Sequence, residues 1–131
     1  MTYLLDSDWL IRFLNGRRDA AELIDSLAAQ GLALSVVSCG EALEGLLDLP
    51  RSADRLSQFE GFLSTLDVLP VDLEVGHRYA SIRRELRRQG QLVPDNDSWI
   101  AATALANDLT LVTRDRHFER VPGLKLYQVV R

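Results

Sequence analysis

Short apolar runs alternate along this chain with longer segments in which apolar residues recur every third or fourth position. Runs at 3–5, 33–37, 68–69, 110–112 and 124–129 have the length and the leucine- or valine-rich character of buried strands. Segments 8–15, 19–29, 39–48, 52–64, 73–89 and 97–107 carry helical periodicity instead. Leu23, Ile24 and Leu27 form the stripe of one such segment, and Val75, Tyr79, Ile82 and Leu86 that of another. Pro50, Pro70, Gly90 and Pro94 fall between predicted elements, where helix breakers belong. The strand and helix alternation predicts a mostly parallel sheet, because parallel neighbours need a crossover and a helix is the usual one. The expected fold is α/β, a three-layer α/β/α sandwich around a sheet of about five strands. Residues 1–131 are expected to form one domain.

The polar residues add acid at a repeated place. "LLDSD" leaves the first strand into Asp6 and Asp8, and "LSVVSCGEAL" runs from a strand into a helix with Glu41 near its start. "VPDNDSWIAATAL" opens a helix with Asp95 and Asp97, while "LTLVTRDRHF" leaves a strand at Thr113 and reaches Asp115. In a parallel sheet these segments finish on one edge, the edge at which open α/β folds bind ligands. Helix starts account for part of the pattern, since an acid at an N-cap is worth about 1 kcal/mol. That account is strongest for Glu41, which with Ser38 spells an S-x-x-E capping box, and it serves equally for Asp8 and Asp95. Asp6 fits it least, because it ends an apolar strand expected near the centre of the sheet. Ser7 and Thr113, beside the acids, are either caps or groups that orient metal-bound water.

Four acids in one pocket require protons or cations. Oxygen donors without a His or Cys set suit Mg²⁺ or Mn²⁺ better than Zn²⁺. His77 and His117 have no partner at metal-ligand spacing and are expected to be ordinary surface or packing residues.

Composition narrows the class further. With 47% hydrophobic and 26% charged residues the chain is ordinary globular protein, and no apolar run approaches the ~20 residues that span a bilayer. Cys39 is the only cysteine, which excludes an intrachain disulfide, and it sits among apolar residues as a small buried side chain. A cytoplasmic protein with no membrane association is expected. The net charge of −4 argues against a nucleic-acid coat protein but not against an enzyme that gathers acid around a metal. Cationic residues are almost all arginine, Lys125 being the only lysine. Opposite the apolar stripe of 73–89 stand Arg83, Arg84, Arg87 and Arg88, a face that is usually just solvated. Trp9, Phe13, Leu46 and Leu47 are core residues by default, with a partner groove as the alternative.

"LLDSDWLI", "SVVSCGEALEG", "VPDNDSWIAATAL" and "LVTRDRHFERVPGL", in this order and spacing, resemble the PIN-domain ribonucleases and among them the VapC-type toxins of toxin–antitoxin pairs. The resemblance covers nearly the whole chain and implies a PIN-like fold. It places the family's acidic quartet on Asp6, Glu41, Asp97 and Asp115, as catalytic residues and metal ligands. Asp6 and Asp97 are the expected main ligands, while Glu41 and Asp115 complete the shell or hold water. Asp8, Glu44 and Asp95 flank these positions as additional acids. The resemblance also implies Mg²⁺ or Mn²⁺ as cofactor, RNA cleaved to a 5′-phosphate and a 3′-hydroxyl, and a cognate antitoxin as partner; for such a nuclease the Arg83, Arg84, Arg87 and Arg88 face is a candidate to hold the RNA backbone, and a homodimer is expected as well. "LLDSD" is similar as well to the D-x-D of haloacid-dehalogenase-type phosphatases. Those enzymes, like phosphoacceptor receiver domains, need a lysine at the phosphoryl group, and Lys125 inside the last predicted strand is badly placed for it. A catalytically inactive PIN-like binding module is the remaining alternative.

Overall fold

The computed structural model describes residues 1–127. In chain order the elements are β1 (Tyr3–Leu5), α1 (Ser7–Leu14), α2 (Arg18–Ala28), β2 (Leu32–Ser35), α3 (Val36–Leu47), α4 (Ser52–Leu63), β3 (Asp67–Leu69), α5 (Leu73–Arg88), α6 (Asp95–Ala106) and β4 (Thr110–Val112), followed by a 3₁₀ turn, Arg116–Arg120. The strands form a parallel sheet in the order β3-β2-β1-β4, with Leu4 in register with Ala33 on one side and Leu111 on the other.

Side chains of successive strand residues point to opposite faces, and this alternation sorts the core. Leu4, Ala33 and Leu111 pack in one cluster with Leu86 of α5, Ile100 of α6 and Phe118 of the 3₁₀ turn. Leu5, Leu34 and Val112 face the other way, onto Trp9, Leu10 and Phe59 of the layer built by α1 to α4. These are the three layers expected from the apolar pattern. Phe59 and Phe118 are fully buried, and each contributes roughly 1.5–3 kcal/mol through that burial. Trp9 and Leu46 also belong to the core, and Phe13 stacks on Phe62 with ring centroids 4.6 Å apart. Of the apolar residues considered for a partner groove, Leu47 alone is exposed.

Two boundaries differ from expectation. The run at 33–37 stays in the sheet only as far as Ser35; Val36 and Val37 are already helical. Ser35 Oγ accepts from Val37 N at 3.1 Å, which caps α3 and ends the strand. Two consecutive valines favour a strand locally, and the cap overrides them. The expected capping box therefore does not form: Ser38 is buried inside α3, and Glu41 lies in its second turn. The predicted strand at 124–129 appears as a single parallel bridge from Leu126 to Leu111 at the outer side of β4. Residues 128 and 129 of that run lie outside the described residues. The described sheet thus has four strands rather than five.

Gly31 is required where the chain enters β2. It has φ +91°, and its carbonyl accepts from both Thr2 N and Tyr3 N at 3.0 Å. A Cβ there would come within 2.7 Å of Met1 Cα.

The strand order sets the position of the site. From β1 the chain steps outward to β2 and β3, then returns to place β4 on the opposite side of β1. From β1 the chain enters α1, which packs on one face of the sheet through Trp9 and Leu10, and from β4 it enters the 3₁₀ turn, which packs on the other through Phe118, so a crevice is expected outside their carboxyl ends. Among the described residues, no helix is long and apolar enough to cross a membrane.

Candidate active site

Asp6 directly follows β1 and extends its pairing by one residue, donating its N–H to Val112 O at 3.0 Å. Its location is therefore set by the sheet. Its side chain caps α1, Oδ1 accepting from Ser7 N at 2.8 Å, while Oδ2 accepts from Thr113 Oγ1 at 2.6 Å. Only 4% of the residue is exposed. Burial pushes its carboxyl pKa from 3.8 to about 6; the bonds from Thr113 and Ser7 pull it down, and the nearby charges of Asp97 and Asp8 push it further up. The Asp6 carboxylate thus caps α1 and is at the same time buried within the influence of other acids.

Thr113 carries the arrangement across to β4. Its hydroxyl donates to Asp6 and accepts from Asp115 N at 3.0 Å. Asp115 Oδ1 caps the 3₁₀ turn, accepting from His117 N at 3.1 Å, and lies 2.9 Å from His117 Nδ1. The other ring nitrogen, Nε2, lies 2.5 Å from Oδ2 of Asp97 in the first turn of α6. Donor atoms of Asp97, Asp115 and His117 lie within 4.8 Å of one another, close enough to share one cation. His117 is thus part of the cluster, contrary to its expected ordinary role. The signal for it in the sequence is Asp115-x-His117 in the turn that leaves a strand. His77 is exposed on α5, as expected.

Glu41 approaches from α3. Its Oε1 accepts from Ser7 Oγ at 2.8 Å, and Ser7 Oγ also lies 2.9 Å from Ser38 Oγ. A continuous set of contacts therefore runs from Glu41 through Ser7, Asp6, Thr113, Asp115 and His117 to Asp97. Ser7 and Thr113 bond to acids of this set rather than acting as caps. The flanking acids are differently engaged. Asp8 faces Arg114 Nη1 at 3.5 Å, Asp95 pairs with Arg83 Nη1 at 3.1 Å, and Glu44 points to solvent.

The donor set suits a hard divalent cation. It offers carboxylate oxygens and one imidazole, and the one cysteine, Cys39, is buried with its thiol pKa raised by that burial. Asp6 and Glu41 stand outside the group of Asp97, Asp115 and His117 and join it through Thr113 and Ser7.

The arginine face is not uniform. Arg84, Arg87 and Arg88 are exposed, but Arg83 is tied to the segment leading into α6, donating to Val93 O at 3.2 Å as well as pairing with Asp95. Lys125 Nζ bonds Asp108 Oδ1 at 2.8 Å. Asp108 immediately precedes β4, so this ion pair lies at the amino edge of the sheet, opposite the acids. No lysine among the described residues reaches the acidic cluster, and the phosphatase and receiver readings lose their required group.

Comparison with known proteins agrees with the fold. A family model described as PIN domain matches residues 3–124. Ribonuclease VapC5 of Mycobacterium tuberculosis is 30% identical over 131 residues, covering 98% of this chain and 93% of its own. The tRNA(fMet)-specific endonuclease VapC of Shigella flexneri is 31% identical, covering 95% and 96% respectively. Among solved structures, VapBC2 from Rickettsia felis bound to a DNA fragment from their promoter aligns with a TM-score of 0.89 at 27% identity, over 97% of this chain and 98% of that one.

Proposed function

The chain belongs to the PIN-domain family, and on that footing we infer that it is an endoribonuclease, the toxin of a toxin–antitoxin pair, held in check by a cognate antitoxin. The observation that supports this best is the hydrogen-bonded set of acids at the switch point of the sheet, with Asp97, Asp115 and His117 close enough to share a cation. We further propose that the activity depends on Mg²⁺ or Mn²⁺ held by Asp6, Glu41, Asp97 and Asp115. When bound, such a cation acidifies water and neutralises charge on the phosphoryl oxygens.

The protein groups have separable tasks. Asp6 and Asp97 supply negative charge, and burial of Asp6 raises the gain from neutralising it. Glu41, oriented by the Ser7 hydroxyl, is placed to accept a proton or to hold a water on the α3 side. Thr113 fixes Asp6 and the Asp115 backbone together and so preserves the spacing across β1 and β4. Arg84, Arg87 and Arg88 present positive charge that can hold an RNA backbone, in a cytoplasmic setting.

The test is cleavage of end-labelled RNA, including initiator tRNA, by the purified chain. Cleavage that chelator abolishes and Mg²⁺ or Mn²⁺ restores, leaving 5′-phosphate ends, is the expected result. Cleavage unaffected by chelator would overturn the metal dependence. Expression of the chain should stop growth and co-expression of its neighbouring antitoxin should restore it; unimpaired growth without the antitoxin would overturn the toxin assignment.

A further inference from the structure

His117 enters the site through both ring nitrogens, and the two have different surroundings. Nδ1 lies 2.9 Å from Asp115 Oδ1, the oxygen that also accepts the backbone N–H of His117 at 3.1 Å. Ring and carboxylate are thus joined twice within one tight turn. Asp115 is itself anchored, its N–H bonded to Thr113 Oγ1. Nε2 faces Asp97 Oδ2 at 2.5 Å. A neutral imidazole carries one N–H. Where Nδ1 gives its hydrogen to Asp115, Nε2 is the ring atom turned to Asp97, and the donor atoms of all three residues lie within 4.8 Å of one another. Two acceptor-capable atoms so close share either a proton or a cation, and a divalent ion in this cluster takes the place of that proton.

Metal-binding histidines generally donate their second ring nitrogen to a carboxylate, which fixes tautomer and ring orientation. Asp115 occupies that place. We propose that His117 Nε2 is a direct ligand of the divalent ion beside Asp97, and that Asp115 acts chiefly as the partner that orients the imidazole. This rests on the metal-dependent reading above and refines its ligand set. A nitrogen donor in an otherwise oxygen-based site favours Mn²⁺ over Mg²⁺, because transition ions gain more from imidazole.

Pulsed electron paramagnetic resonance on the full chain with less than one equivalent of Mn²⁺ tests the proposal directly. The sequence has two histidines, His77 and His117, and His77 is exposed on α5. The expected spectrum shows imidazole ¹⁴N coupling, replaced by ¹⁵N coupling when only histidine is labelled. The coupling persists in His77→Asn and vanishes in His117→Asn, which also weakens Mn²⁺ binding at least about tenfold and Mg²⁺ binding less. The isotope exchange in the wild-type chain needs no variant, so a folding defect in His117→Asn leaves it decisive. Mn²⁺ bound without histidine coupling would overturn the ligand assignment and leave the metal reading intact. Absence of Mn²⁺ binding would overturn both.

Discussion

Asp6 shows how a single side chain couples stability to function. Its folded pKa of about 6 lies above the ordinary 3.8, so the fold favours the protonated acid. Its contribution to stability is therefore fully present below about pH 3.8, declines as pH rises, and is lost above about 6. A shift of this size corresponds to about 3 kcal/mol at neutral pH. Asp6→Asn, neutral at every pH, should make the metal-free protein more stable than wild type by up to that amount at pH 7, and equally stable below pH 4. Urea denaturation at the two pH values checks this, and a nuclease assay should find the variant inactive. Retained activity with Mg²⁺ or Mn²⁺ would remove Asp6 from the catalytic set. Glu41 makes a complementary case. Its structural partner is the Ser7 hydroxyl rather than a capped N–H, and Glu41→Gln retains an acceptor for it. Stability should stay near wild type while cleavage is lost. Glu41→Ala should cost a further ~1 kcal/mol by removing the charged acceptor of the buried Ser7 hydroxyl, which then has only Ser38 Oγ.

At the scale of elements, α5 carries two kinds of arginine. Arg83 pins the segment before α6 through Val93 O and Asp95, and α6 delivers Asp97. Arg83→Gln should therefore lower turnover at saturating RNA by loosening the start of α6, with little change in the salt dependence of RNA binding. Arg84→Gln combined with Arg88→Gln should do the reverse: RNA affinity falls, and its salt slope flattens by up to about 0.7 log units for each phosphate no longer held, with turnover nearly normal. Binding measured across a salt series, together with single-turnover rates, separates the two; identical behaviour of both variants would show the face to be uniform. The cap of α3 offers a simpler check. Ser35→Ala should destabilise the protein by about 1 kcal/mol in thermal denaturation, because Val37 N is left without its partner.

For the whole molecule, a cation bound to the folded state alone stabilises it by mass action, by about 2.7 kcal/mol at a hundredfold excess over Kd. Mg²⁺ or Mn²⁺ should therefore raise Tm in wild type and fail to do so in Asp97→Asn; an equal rise in both would place the binding elsewhere. The layers, the helices and the acids at strand ends were legible from the sequence, because periodicity and chain connectivity are local properties that a parallel sheet converts directly into position. The arginine stripe was visible too, but not its division, since Arg83 meets Asp95 across a loop whose path the sequence leaves open. His117 was overlooked for a related reason. Its partners are Asp115, two residues away, and Asp97, twenty residues earlier on another helix, and only the packing of α6 against the turn after β4 brings the three together. Alternation of strand and helix was enough to set which residue types reach the carboxyl edge of the sheet. Tertiary packing settled which of them touch, which are paired away in Arg83–Asp95 and Arg114–Asp8, and which is buried enough to resist ionisation. Contact and desolvation depend on distances between segments remote in the chain, and no local pattern encodes those distances.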